Sequence, residues 1–285
     1  MAVFVCAAVA AALAATVKPA LGGLVHSTRA VAVTAPSTPS SNWSGYAVTS
    51  PTATAVSYTS VTGTWTVPTA NCTAADAGAS SAVWVGLGGY SLTAQALEQT
   101  GTDADCNDSG APSYYAWYEL VPADPVNLKA KVRPGDTITT SVNILPATTT
   151  TPTTVELQVI NRTRGWRFTT KQVPSALDTS SAEWIIEAPS DCSGYSCRPV
   201  PLANFGTTTI GKIAAIGDGQ PGTLTNPAWT EYPIQLVPTT RAHGYYPGAD
   251  RFGGLAGSTA GATPGAISSD GRSFAVNWVA DATSQ

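Results

Sequence analysis

The chain has 285 residues, enough for one large β domain or two ordinary ones, yet only 11% of them are charged and the formal net charge is -4. No basic stripe runs through it, which argues against nucleic acid or an anionic membrane surface as a partner. Even with every carboxyl protonated, the positive charge is limited to 14 Lys+Arg and 2 His, a modest self-repulsion for this length, so the composition tolerates acid.

Residues 1–20 read as an export signal. Ala2 to Thr16 is apolar, too short to span a bilayer, and followed by small residues, with Ala15, Ala20 and Ala32 as candidate cleavage points. Residues 21–40 overlap the Pro/Ser/Thr-rich run "VAVTAPSTPSS" and read as a disordered lead-in or short pro-segment. No later stretch is long enough for a membrane helix, so the expected location is extracellular. From 41 to 280 the pattern is that of a single all-β domain. The segments "SYTSVTGTWTVP", "SAVWVGLGGY", "SYYAWYELVP", "DTITTSVNIL", "TVELQVINRT", "RGWRFTTKQV", "AEWIIEAP" and "SFAVNWVA" are aromatic or β-branched and bounded by Gly, Pro, Asn or Asp. "RPGD" (Arg133 to Asp136) and "NRTRG" (Asn161 to Gly165) are turn sequences, the second a hairpin tip. Arg241 to Gly265 is Gly-rich and reads as a surface excursion.

Cysteine usage agrees with export. Removing the signal takes Cys6 and leaves Cys72, Cys106, Cys192 and Cys197, which allow three pairings. The short turn-prone loop between Cys192 and Cys197 favours pairing those two, and Cys72 with Cys106. A zinc site is a poor alternative, since the spacing is wrong and the only histidines are His26 and His243. No metal or other cofactor is expected. Asn42, Asn71, Asn107 and Asn161 head N-x-S/T triplets.

The chain lacks H-E-x-x-H, G-x-S-x-G, a Walker loop and CxxC, and neither histidine sits in a triad context. Acid–base chemistry in so histidine-poor a chain falls to carboxyls and amides. In "AEWIIEAP", strand alternation sends Glu183, Ile185 and Glu187 to one sheet face and Trp184 and Ile186 to the other, with Trp184 on the core side. In "ALEQTG" the same alternation separates Gln99 from Glu98.

"SNWSGYAV", "AVWVGLGGYSLTAQALEQTG", "YYAWYELVP" and "AEWIIEAP" occur in the order seen in the glutamic peptidases, or eqolisins, and the chain resembles that family over nearly the whole domain. The resemblance implies a concanavalin-A-like sandwich of two antiparallel sheets and a secreted acid endopeptidase acting on polypeptides; a monomer is expected. Its catalytic pair maps to Gln99 and Glu187. Substrate-binding walls map to Trp43 and Trp84, and the aromatic strand adds Tyr118 and Glu119. Where the family pattern "WVGxDG" carries Asp, this chain has Gly88.

Chemistry gives the pair its tasks. Glu187, ionised at an ordinary carboxyl pKa of ~4, takes a proton from the attacking water and returns one to the leaving nitrogen. Gln99 donates to the developing oxyanion, and its side-chain oxygen helps orient the water. A base worth roughly 10² to 10⁴ and a donor worth about 10² to 10³ together supply about 5 to 10 kcal/mol, leaving the remainder to substrate alignment. A competing reading is a carbohydrate-active or carbohydrate-binding sandwich, in which Glu187 needs a carboxyl partner about 5 Å away, with Glu183 or Glu119 as candidates.

Overall fold

A computed structural model describes residues 37–51, 55–91, 94–193, 196–238 and 260–280. The export signal, both histidines and most of the Gly-rich excursion lie outside the described residues.

The strands in chain order are β1 (Thr38–Ser40), β2 (Trp43–Thr49), β3 (Tyr58–Thr66), β4 (Ser80–Leu87), β5 (Leu97–Cys106), β6 (Pro112–Val121), β7 (Val126–Asn127), β8 (Thr137–Leu145) and β9 (Thr154–Asn161). They continue as β10 (Trp166–Gln172), β11 (Ser181–Glu187), β12 (Ser190–Ser193), β13 (Ser196–Pro199), β14 (Thr207–Gly217), β15 (Gln220–Gly222), β16 (Thr230–Leu236), β17 (Gly261–Pro264) and β18 (Phe274–Val279). A single 3₁₀ turn, Ala74–Asp76, is the one helical element among the described residues.

The expected all-β sandwich is what forms, with one difference from two separate sheets. A continuous path of hydrogen-bonded strands runs β10-β9-β8-β3-β14-β18-β17-β16-β2-β11-β4-β5-β6-β7. The path doubles back, so that β3 packs face to face on β4 and β11, β8 on β4 and β5, and β9 on β5. Strand β1, at the end of the segment read as a lead-in, is ordered by parallel pairing with β16, where Pro39 occupies an edge position that needs no ladder donor.

The main core lies between the layers and includes Trp65, Ile138, Leu157, Trp184, Ile186 and Ile210. Both buried indoles are satisfied: Trp65 Nε1 donates to Thr102 Oγ1 at 2.9 Å and Trp184 Nε1 to the Thr62 carbonyl at 2.8 Å. Strands β8 and β9 bury every second residue, as one-sided strands do. Strand β4 is buried along its entire length, because β4 and its neighbours carry a second apolar set on the opposite face: Trp43, Ala47, Ala82, Trp84, Trp117 and Ile185. That second face holds the candidate site.

The turns behave as their residues require. Gly135 at φ 84 and Gly165 at φ 70 supply the left-handed positions of "RPGD" and of the β9–β10 hairpin. Asp136 links the two turns by accepting from Arg164 Nε at 2.6 Å and Asn161 Nδ2 at 2.8 Å.

Cys72 and Cys106 are disulfide-bonded across 34 residues of sequence. Cys192 and Cys197 stand opposite each other in the β12–β13 pair, but their side chains lie outside the described set. By loop entropy, opening a loop of this size by replacing Cys72 and Cys106 with serine is expected to cost about 3 to 4 kcal/mol. Urea unfolding with and without the substitutions measures this, and a loss below about 1 kcal/mol would show that the unfolded chain is already constrained there.

Candidate functional site

Strand register lays the site face out as rows. Trp43, Glu187, Ala82, Asp103 and Tyr115 are successive partners across β2, β11, β4, β5 and β6. The next row is Gly45, Ile185, Trp84, Gly101 and Trp117, and the one after it is Ala47, Glu183, Gly86, Gln99 and Glu119. Gln99 and Glu187 therefore share one face, diagonally placed, with Trp84 and Gly101 on the row between them.

Gly101 opens that space. A Cβ there would lie 2.3 Å from the Val83 carbonyl oxygen and 2.6 Å from the Trp84 Cβ, so no side chain fits. The Trp84 indole uses the room, packs edge to face on Trp43 with centroids 5.0 Å apart, and donates from Nε1 to Glu187 Oε2 at 2.7 Å. The Asn42 amide donates to the other carboxyl oxygen, Oε1, at 2.9 Å. Glu187 is thus gripped at both oxygens at the partly exposed end of β11.

Gln99 does not bond to Glu187. Its Nε2 donates to Glu119 Oε2, directly opposite on β6, at 2.6 Å, and its Oε1 is buried without a partner. Glu119 in turn acts on Glu187 through its charge.

Electrostatics departs from the ordinary carboxyl behaviour expected of Glu187. Burial pushes it up to about 8; the Trp84 indole pulls it down, the Glu119 charge pushes it up, Trp43 lowers it and Asp103 raises it. Glu119 rises to about 7, mainly by burial, against the lowering effect of the Gln99 amide. Asp103 rises to about 6 by burial and the neighbouring Asp105, although Ser80, the Ala104 amide and Tyr115 all donate to it.

Of the substrate-binding candidates, Trp43, Trp84 and Glu119 lie on the site face. Tyr118 does not. Alternation along β6 turns it to the opposite face, where it packs on the main core and stacks on Phe168 at 5.9 Å. Tyr115 and Trp117, with the same parity as Glu119, are the aromatics of that strand on the site face. Asn42 and Asp103 are site residues that the sequence pattern does not single out, although "SNW" and "QTGTD" hold both. Asn42 is buried against Glu187, so its N-x-S triplet is masked in the folded chain. Asn161 is likewise fully buried.

Glu183 is completely buried, with neither carboxyl oxygen in a well-formed hydrogen bond; the nearby Ser181 hydroxyl offsets the burial only in part. Among the described residues it has neither a backbone donor nor a nearby cation, and it is closed off as a sugar-facing partner for Glu187. Gly88, at φ +77, faces Asp178, whose Cβ and carboxyl carbon lie 2.5 and 2.8 Å from where a side chain at 88 would begin. Asp178 Oδ2 accepts from the Gly89 amide at 3.1 Å, so a carboxylate from the β10–β11 connection stands against the position where the family pattern has one. Among the described residues no cluster of His, Cys, Asp and Glu has the arrangement of a metal site.

A sequence profile of the peptidase A4 family matches residues 41–242. Aspergillopepsin-2 of Aspergillus niger is 30% identical over 203 residues, which amount to 63% of this chain and 66% of that protein's own length. Among solved structures, scytalido-glutamic peptidase with a transition state analog inhibitor superposes with a TM-score of 0.60 at 22% identity, covering 84% of this chain and 98% of that one. SCP-B, an eqolisin-family peptidase in a complex with the tripeptide Ala-Ile-His, gives a TM-score of 0.56 at 21% identity, with 84% and 98% covered. These likenesses establish the antiparallel sandwich. The profile match takes in Asn42, Gln99, Glu119 and Glu187 and most of the sequence, and the chain belongs to the peptidase A4 family, the glutamic peptidases or eqolisins.

Proposed function

We propose that the chain is a secreted endopeptidase active in acid, hydrolysing extended polypeptides with Glu187 as acid–base group and Gln99 as the amide that stabilises the tetrahedral intermediate. The observation that carries the reading is the clamp on Glu187 by Asn42 and Trp84, on the same face as a Gln99 whose Oε1 is unpartnered. A disulfide in the described domain fits an extracellular setting, and no helix among the described residues is long and apolar enough to cross a membrane. The chain works as a monomer in this reading.

With its pKa raised to about 8, Glu187 carries its proton throughout the acidic range. A neutral carboxyl acts at both oxygens. Its carbonyl oxygen takes a proton from water as the water oxygen bonds to the scissile carbon, while its O–H gives a proton to the carbonyl oxygen. The carbonyl π bond breaks, a gem-diol forms, and Glu187 ends as protonated as it began. In the second step Glu187 protonates the amide nitrogen and takes a proton from the diol as the C–N bond breaks, leaving an acid and an amine. Gln99 Nε2 donates to the oxygen on which charge builds, and Oε1 receives one hydrogen of the water.

The sign of the pH dependence follows. A carboxyl that works protonated is competent below its raised pKa and is lost as pH rises through about 8 for Glu187. Digestion of a denatured protein from about pH 3 to about pH 9, with an aspartic-peptidase inhibitor present, is expected to proceed in acid and to fail above neutrality. Inhibitor-sensitive cleavage, or a rate that climbs to an alkaline plateau, would reject the assignment.

A further inference from the structure

Every immediate neighbour of Gln99 on the site face can be read from the register. Along β5 they are Leu97, which is apolar, and Gly101, which has no side chain. Across the sheet they are Gly86 on β4, again without a side chain, and Glu119 on β6. The amide therefore has one polar neighbour among its four lattice positions. That matters because the two ends of a carboxamide have nearly the same shape, so packing alone does not distinguish them.

We infer that Glu119 is a positioning residue for Gln99, fixing which end of the amide faces the scissile bond. The inference rests on the peptidase reading and adds a residue that acts through the amide rather than on the substrate. Nε2 can only donate, and Glu119 Oε2 is its acceptor at 2.6 Å; an ionised Glu119 accepts at both oxygens, and a neutral one accepts here when its proton sits on Oε1. One Nε2 hydrogen is used by Glu119 and the second is left for the substrate carbonyl oxygen. Oε1 is buried without a partner, an acceptor left unsatisfied; in the peptidase reading the attacking water satisfies it once substrate is seated. With the amide reversed, Oε1 would face Glu119, and the substrate oxygen would meet an acceptor in place of a donor.

The test is Glu119→Gln, which keeps the size of the side chain but pairs equally well with either orientation of the Gln99 amide. It is expected to lower kcat by about 10- to 100-fold with KM within about threefold of the native value. Affinity for a peptide aldehyde, which binds as its tetrahedral hydrate, should fall by a similar factor while the thermal midpoint stays in place. A kcat within about threefold of native, or a change confined to KM, would overturn the inference and make Glu119 a substrate-binding residue. If the variant does not fold, the native protein answers by NMR of the Gln99 side-chain amide. One hydrogen shifted downfield and protected from exchange supports the fixed orientation; two equivalent, rapidly exchanging hydrogens overturn it. An active Glu119→Gln beside inactive Gln99→Ala and Glu187→Gln removes only this inference, whereas activity in the latter two removes the peptidase reading itself.

Discussion

Glu187→Gln is expected to reduce peptide hydrolysis by at least roughly 10⁴-fold, the upper range for loss of a positioned acid–base group. The substituted amide offers one acceptor where the carboxyl offers two, yet Asn42 Nδ2 and Trp84 Nε1 both donate into this site. One of those donors must then face an NH₂ group. The variant thus loses the proton that moves and also the orientation of the group that moved it. Gln99→Ala removes the donor to the developing charge and should cost about 10² to 10³. Because the proposal has the two groups act on one water and one carbonyl, the double variant should be little worse than Glu187→Gln alone, as expected for residues that work as a unit. Turnover of a quenched peptide, with circular dichroism to verify folding, measures all three. Residual activity of a few per cent in folded Glu187→Gln would sink the assignment.

The second large effect is on stability, and it comes from two other glutamates. Glu98 and Glu183 are completely buried, and none of their four carboxyl oxygens makes a well-formed hydrogen bond. Leu87 and Leu120 flank Glu98 in register, Asp178 acts on both carboxyls and Glu98 on Glu183 with the wrong sign, Tyr58 and Tyr90 feel the Glu183 charge in turn, and no cation among the described residues acts on either. The Asp178 and Glu98 backbone amides near Glu98, and the Ser181 hydroxyl near Glu183, oppose the burial without overcoming it. Burial raises Glu98 to about 8 and holds Glu183 well above the usual carboxyl range. A folded-state pKa raised above the unfolded value gives stability that is fully present below the unfolded pKa, near 4.5, and lost as pH climbs through the folded one. For Glu98 alone the span is on the order of 5 kcal/mol, comparable with the whole stability of many domains. The thermal midpoint is therefore expected to fall steeply between about pH 5 and pH 8. Glu98→Gln, neutral at every pH, should remove much of that slope, changing little in acid and stabilising the protein at neutrality. A native midpoint that is flat over this interval, or a variant with an unaltered slope, would contradict the account.

Alternation alone makes much of the site legible in the residue pattern. The parity of "AEWIIE" places Glu187 and Trp184 on their true faces, and the parity of "LEQ" does the same for Gln99 and Glu98. Elsewhere local chemistry obscures the pattern. Strand β14 carries Gly211 and a left-handed Lys212 at φ 51, with a break in its pairing to β3 between Gly211 and Ala214, so no clean period of two survives. Strand β5 contains Gly101, Asp103 and Asp105, poor strand formers, and Gly101 leaves the room that Trp84 takes. Tyr118 resembles a site residue through its proximity to Glu119, although adjacent strand residues point to opposite faces. Asn42 stays hidden because one amide beside a tryptophan carries no signal until β2 is known to lie against the end of β11.

The position of β2 has a consequence for the producing cell. This strand, near the start of the domain, is hydrogen-bonded between β11 and β16, whose residues are translated about 140 and 190 positions later. Such distant pairings close slowly and late. A nascent chain still short of Thr230 lacks the neighbour that brackets β2, so Asn42 and Trp43 have no finished frame from which to reach Glu187. In the proposed peptidase, the strand that carries the Asn42 clamp is therefore bracketed on both sides only after β16 has been made.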